Sequence, residues 1–227
     1  MRFKMIVSLL VTMLTAQWPA RASIGFSFGA PAYELHPQES VIVPLILRFT
    51  DADASDLLAQ GGLLSAAVRV AQTATSSSDA VTPVTIVPNT VDFDEPILTP
   101  ILLGPSPSEV GLWEFADITR LLGVQGQESG LGERTIKLGD ITFVAGASPG
   151  QTVFAAGPYD PTLQTTVTFT DPSVSLDALI LPSTLTFTVV PEPGSQTLLL
   201  ILQVAIMHFG DHASRSARRR TRMPVGS

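Results

Sequence analysis

A strict two-residue alternation is the feature that most narrows what this chain can fold into. In TLQTTVTFTD, Val167 and Phe169 alternate with Thr166, Thr168 and Thr170, and TLTFTVV repeats the pattern with Leu185, Phe187 and Val189. Successive side chains of a strand point to opposite faces, so this spacing predicts sheets with one face packed on a core and one wet. Other runs rich in Val, Ile, Thr and Phe, bounded by Gly, Pro, Asp or Ser, predict strands at Gly25 to Leu35, Ser40 to Thr50, Leu63 to Gln72 and Val81 to Val87. Four more are expected at Arg134 to Val144, Thr152 to Ala155, Leu163 to Thr170 and Thr184 to Val190.

One interruption reads as helical. Ser108 is placed to cap it, Glu109 favours its positive end, and Leu112, Phe115, Ile118 and Leu122 recur at spacings of three and four before Gly123. A shorter helical turn is expected in DASDLLAQ. The segments SSSD (Ser76 to Asp79), GPSPS (Gly104 to Ser108) and the glycines from Gly123 to Gly132 are loops. Eight short strands with few helices predict an all-β fold, two packed antiparallel sheets with one short helix. With no cysteine in the chain, disulfides and Cys-based metal or redox sites are excluded.

The two ends differ from the body. Arg2 and Lys4 precede an apolar run from Met5 to Ala16, and Ala20 and Ala22 are the small residues a signal peptidase accepts, so residues 1–22 read as a signal helix removed on export. Between Ser23 and Val189, five cations face eighteen acids, a net of −13. Such a body repels nucleic acid and anionic lipid. The remaining basic residues crowd at the ends, including Arg215, Arg218, Arg219, Arg220 and Arg222.

Candidate chemistry in the body is sparse. A Ser-His-Asp arrangement would have to use His36, since His208 and His212 belong to the tail, and no G-x-S-x-G pattern accompanies it. Asp92, Asp94 and Glu95 in VDFDEP offer paired carboxylates, but acids alternating on a strand share one solvated face. Asp51, Asp53, Ser55 and Asp56 present hard oxygens suited to calcium, yet the EF-hand spacing fails, with Asp56 at position six and Gly62 at position twelve. Gly123, Gly126, Gly130 and Gly132 lack the Gly-Lys-Ser/Thr of a phosphate loop. Trp113, Tyr33 and Tyr159 suggest a sugar platform, against which Trp113 beside Leu112 and Phe115 reads as core. No catalytic residue, cofactor or metal is expected.

After Val190 the character changes. Pro191 and Pro193 fix φ and remove two donors around Glu192, so the chain must leave the last strand extended. Leu198 to Phe209 is apolar apart from Gln203 and His208. Twelve helical residues rise about 18 Å, whereas 194–213 rises about 30 Å, the thickness of a hydrocarbon core. The arginines that follow would hold that end on the cytoplasmic side.

Two resemblances follow from these residues. The succession ESVIVPLILRF, GLLSAAVRV and GERTIKLGDITFVAGASPGQTVF, across Tyr33 to Val189, is similar to the cohesin-type β-sandwich, which implies a jelly roll whose relatives bind dockerins. The order Val-Pro-Glu-Pro, apolar helix and arginine cluster resembles the PEP-CTERM sorting signal. That resemblance implies recognition at Pro191, Glu192 and Pro193 by an exosortase, a membrane-embedded transpeptidase, with Arg215 to Arg222 as the retention charge. The polar residues Gln203, His208, Asp211 and His212 depart from its usual apolar segment.

The organisation expected is therefore a signal peptide over 1–22, a sandwich over 23–189 and a sorting tail over 190–227. The function expected is that of an exported, non-enzymatic surface or extracellular-matrix protein, anchored transiently in the inner membrane. A module binding a glycan or a dockerin-like protein is the second reading, and a secreted hydrolase the third.

Overall fold

Ser40–Phe49 shows how the sequence builds the body: Val43, Leu45, Leu47 and Phe49 alternate inward with no exposure, while Arg48 points out to Glu133 at 3.0 Å. The structure of the chain, a computed structural model, describes residues 24–50, 52–76, 81–120, 122–129, 132–160, 162–170, 173–191 and 194. The expected signal segment with Ala20 and Ala22, the motif residues Glu192 and Pro193, and the apolar and arginine parts of the tail lie outside them. Among the described residues no helix is long and apolar enough to cross a membrane.

The described residues are mostly β, arranged as a sandwich of two sheets. One sheet has the order β12 (Ile180–Leu181), β1 (Ile24–Phe28), β3 (Ser40–Phe49), β9 (Glu133–Ala145) and β5 (Val81–Pro88), with β8 (Gln127–Ser129) added on β9. The other runs β2 (Ala32–Leu35), β13 (Ser183–Val189), β10 (Gly150–Gly157), β4 (Leu63–Thr75), β7 (Glu109–Phe115) and β6 (Ile101–Ser106), with β11 (Val167–Thr168) beside β4. Both sheets are mixed, which corrects the expectation of purely antiparallel ones. β1 runs parallel to β12, and β2 parallel to β13 with Ala32 opposite Thr186 and Leu35 opposite Val189. The predicted strand from Gly25 to Leu35 is really two, broken at Gly29–Pro31 so that the chain passes from one sheet to the other.

Between the sheets, Phe143, Phe154 and Phe187 are fully buried, with Phe143 4.7 Å from Phe187 and 5.1 Å from Phe154 between ring centroids. They supply the packing that replaces disulfides. β9 reaches this core from both its halves because its pairing with β3 slips at Leu138–Gly139, so Ile136 and Leu138 face inward before the slip and Ile141, Phe143 and Ala145 after it.

The predicted helix from Ser108 to Leu122 is a correction. Glu109–Phe115 is a strand pairing β4 from Ala71 to Ser65, and Ile101–Ser106 folds back on it. Val110, Leu112 and Glu114 face inward at a spacing of two. The three-and-four recurrence was real in the sequence, but β4 offered a ladder of partners that an isolated helix cannot match. Ser108 lies instead in the hairpin turn, where the Ser106 hydroxyl accepts the Glu109 N–H at 3.1 Å. The described α-helix is Ala52–Gln60, which covers the expected turn in DASDLLAQ.

The alternation of TLTFTVV holds, with Leu185, Phe187 and Val189 all inside. That of TLQTTVTFTD is inverted: Thr166 and Thr168 are fully buried, whereas Val167 and Phe169 are half-buried. Only Val167–Thr168 pairs with β4. Buried hydroxyls need partners, and here they are local. The Thr168 hydroxyl accepts the Val174 N–H at 2.9 Å, and the Asp177 carboxylate accepts the N–H groups of Thr165 at 2.6 Å and Thr166 at 3.1 Å.

Candidate functional site

The sandwich has two unlike ends. β1, β4 and β9 begin at one pole, and β13 ends at the other with Val189 opposite Gly150. The chain leaves the second pole directly: the Val190 N–H still donates to the Leu35 carbonyl at 2.9 Å, and Pro191 is already exposed. Three segments converge at the first pole, 89–100 following β5, 116–126 following β7, and Gly61–Gly62 preceding β4.

Their crossing depends on glycine. Gly123 N–H donates to Gly61 O at 2.7 Å, Val124 and Leu63 exchange bonds of 2.8 and 2.9 Å, and Phe169 N–H donates to Gly62 O at 2.8 Å. A Cβ on Gly61 would lie 2.1 Å from the Phe169 carbonyl oxygen, and one on Gly123 2.2 Å from that of Leu63. No side chain fits between backbones this close.

Beside the crossing lies a cleft of about 270 Å³, lined by Asp92, Asp94, Asp117, Arg120, Gln125 and Gln127 with Val91 and Leu122 at its edge. The expected carboxylates are therefore brought together, but on a loop beyond β5 rather than on a strand face, which corrects the strand reading of VDFDEP. Each acid holds something. Asp92 accepts the Asn89 side-chain N–H at 2.7 Å, and Asp94 pairs with the Arg120 guanidinium through one oxygen while its buried Oδ1 has no partner. Glu95 accepts the N–H groups of Ile97 and Ile118, each at 2.9 Å, tying the two loops. Asp117 is held below the usual carboxylate range by the Thr119 hydroxyl and N–H, at 2.6 and 2.8 Å.

Behind the loop sits a group that the sequence reading missed. Glu114 points inward from β7 with no exposure; its Oε1 accepts the Asn89 backbone N–H at 2.7 Å and its Oε2 has no partner. Burial pushes its pKa from 4.5 to about 8, the Asn89 bond opposing and the Asp92 charge assisting. Near neutral pH it is a neutral acid inside a protein.

The other candidates do not join this site. His36 is exposed near the opposite pole, its backbone N–H donating to Glu39 at 2.7 Å, so no triad with the cleft acids exists. Asp53, Ser55 and Asp56 fall on the helix Ala52–Gln60 rather than in a loop, which corrects the calcium-loop reading; Asp51 lies outside the described residues. The Ser55 hydroxyl donates to the Gly132 carbonyl at 2.5 Å and so is already engaged. Among the described residues no group of three His, Cys, Asp or Glu is placed to hold a metal ion.

Trp113 and Tyr159, 46 positions apart, do meet on the outer face of the second sheet, with ring centroids 6.2 Å apart, and Phe115 lies 5.2 Å from Trp113. All three are half-buried, and Tyr159 packs over Gly111, whose missing Cβ leaves the room. This is a small satellite core rather than part of the main one. Tyr33 is elsewhere, stacked on Phe187 at 5.7 Å. A scan against protein-family models found no match, and a search of curated proteins returned no relative.

Proposed function

We propose that this chain is an exported surface or extracellular-matrix protein whose non-catalytic sandwich is delivered by a C-terminal exosortase-type signal. One observation carries the reading: the folded body fills the interval between the two processing sites. β1 begins at Ile24, two residues beyond Ala22, and the last backbone bond of the sheet belongs to Val190, one residue before Pro191. Pro191 thus follows the last sheet bond directly, and a protease acting on the motif that it opens would not need to unfold the sheet.

The jelly roll of cohesin type is the finer fold reading, supported by Val43-Pro44 on a central strand and by the Leu-Gly-x-Ile-x-Phe run from Leu138 to Phe143 on β9. A non-catalytic body is supported by the engagement of Asp92, Asp94 and Glu95 in holding loops. Arg215, Arg218, Arg219, Arg220 and Arg222 would keep the tail's end in the cytoplasm until the exosortase releases the body.

Intact mass of the protein recovered from its own host tests this. Removal of residues through Ala22 together with truncation near Pro193, abolished by Glu192→Ala, is the expected result; an intact C-terminus in both forms would sink the sorting reading. The second reading, a module for a glycan or dockerin-like partner, is favoured by the cleft at the pole away from Pro191. A saturable ligand on a glycan array or in a pull-down with the host-processed protein would select it.

A further inference from the structure

We propose that Glu114 and Asn89 form a proton-operated latch: the neutral acid seats the loop from Asn89 to Leu98 against the sandwich, and ionisation releases it. The inference stands apart from the sorting reading, since it concerns only the folded body.

The latch has three parts. Glu114 is fully buried on β7, and Oε1 receives the Asn89 backbone N–H at 2.7 Å, a donor shared with the Leu138 carbonyl at 2.9 Å. Asn89 is also the hinge of the loop. Its side chain donates to Asp92 at 2.7 Å and to the Lys137 carbonyl at 2.8 Å, and its carbonyl receives the Phe93 N–H at 3.1 Å. Phe93, nearly fully buried, is the apolar plug that goes with it.

The surroundings disfavour the ion more than the neutral acid. β4 faces Glu114 with Ala66 opposite and Val68 beyond, while Arg69 points outward to Glu109. β9 faces the interior with Leu138, and its Lys137 points outward to Asp140 at 2.7 Å. On the following turn, Arg120 is occupied by Asp94 and Asp117. From the loop, Asp92 presents a charge of the same sign as the ionised acid. An ionised Glu114 would have a desolvated oxygen without a donor, beside a repelling carboxylate. Hydration through the loop relieves both.

Release would carry Val91, Asp92 and Asp94 away from the cleft they line, so the cleft exists as one wall set against a proton-dependent partner. Val91, 83 % exposed, and Ile97, 74 % exposed, already stand clear of the body, so Phe93 is the buried apolar side chain that release must withdraw.

Amide hydrogen exchange on the full chain at a series of pH values, corrected for intrinsic rates, tests the proposal. Protection of Asn89 to Phe93 is expected to fall at least tenfold between pH 5 and pH 8 and to level off above the pKa of about 8. Glu114→Gln should hold that protection within about twofold over the same range, because the amide cannot ionise. Should that variant not fold, Asp92→Asn decides: removing the neighbouring charge should move the pH at which the fall levels off to a lower value. Protection independent of pH in the wild type, an unchanged fall in Glu114→Gln, or a levelling-off unmoved by Asp92→Asn would each overturn the latch.

Discussion

Replacing Gly61 by alanine should be among the most damaging single-atom additions to this protein. The new Cβ would lie 2.1 Å from the Phe169 carbonyl oxygen, 2.8 Å from its carbon and 3.0 Å from the Thr170 methyl, where ordinary contact begins at 3.4 Å. One backbone must therefore move by more than an ångström. The segments that would move are joined by the Phe169 N–H to Gly62 bond and the Gly123 N–H to Gly61 bond. Overpacking costs about 1 to 3 kcal/mol, and each lost backbone bond about 1 kcal/mol, which together give about 3 to 5 kcal/mol. Two other glycines calibrate the result. Gly157 has open space around its Cβ position, so its alanine variant should stay within about 0.5 kcal/mol of wild type. Gly132 also has open space but a φ of +78°, so strain alone should cost about 1 to 2 kcal/mol there. Urea unfolding measures the series, with the half-buried Trp113 as reporter; the other tryptophan, Trp18, lies in the expected signal segment. With a slope of about 2 kcal/mol per molar, Gly61→Ala should lower the midpoint by roughly 2 M. A midpoint for Gly61→Ala close to that of Gly157→Ala would refute the argument from backbone crossing.

Two further outcomes are expected. Glu114 ionises near 4.5 in the unfolded chain and near 8 in the folded one, so its contribution is intact below 4.5 and is lost as pH rises through 8. Relative to Glu114→Gln, the wild type should lose at most about 5 kcal/mol across that window, read from denaturation midpoints at pH 4, 6 and 8.5; parallel curves would contradict the burial of an uncompensated acid. Asp177→Ala strips acceptors from the Thr165 and Thr166 N–H groups and from the Thr165 and Ser175 hydroxyls, and should cost about 2 to 4 kcal/mol by thermal or chemical unfolding. A loss under about 0.5 kcal/mol would mean that water replaces the carboxylate there.

Legibility in the sequence followed the source of each residue's environment. TLTFTVV was legible because Leu185, Phe187 and Val189 meet one continuous core, and period alone then decides the face. TLQTTVTFTD misled for a chemical reason: threonine has a methyl and a hydroxyl, and Asp177, Val174 and Ala67 satisfy the hydroxyls and amides that face the body. Nothing local in the sequence announces an acceptor eleven or twelve positions away. The Ser108 to Leu122 segment misled because its apolar spacing fits a helix, and the presence of β4 as a partner is a long-range fact. That error concealed Glu114, since a glutamate on a surface helix invites no comment while one at an inward strand position does. At the cleft, Asp92 and Asp94 stood out as neighbours in sequence, whereas Arg120 and Gln125 arrive from a separate loop and Gln127 from β8.

The parallel pairs between the first and last strands also set how the domain would answer a mechanical pull. β2 follows β1, which begins at the first pole, and β13 ends at the second, the two lying side by side from Ala32 and Thr186 to Leu35 and Val189. Tension between Ile24 and Pro191 therefore drags these neighbours past one another along their length. All of their rungs resist together, whereas a hairpin pulled from its open end yields one rung at a time. The same strands that close one edge of each sheet are a clasp in shear.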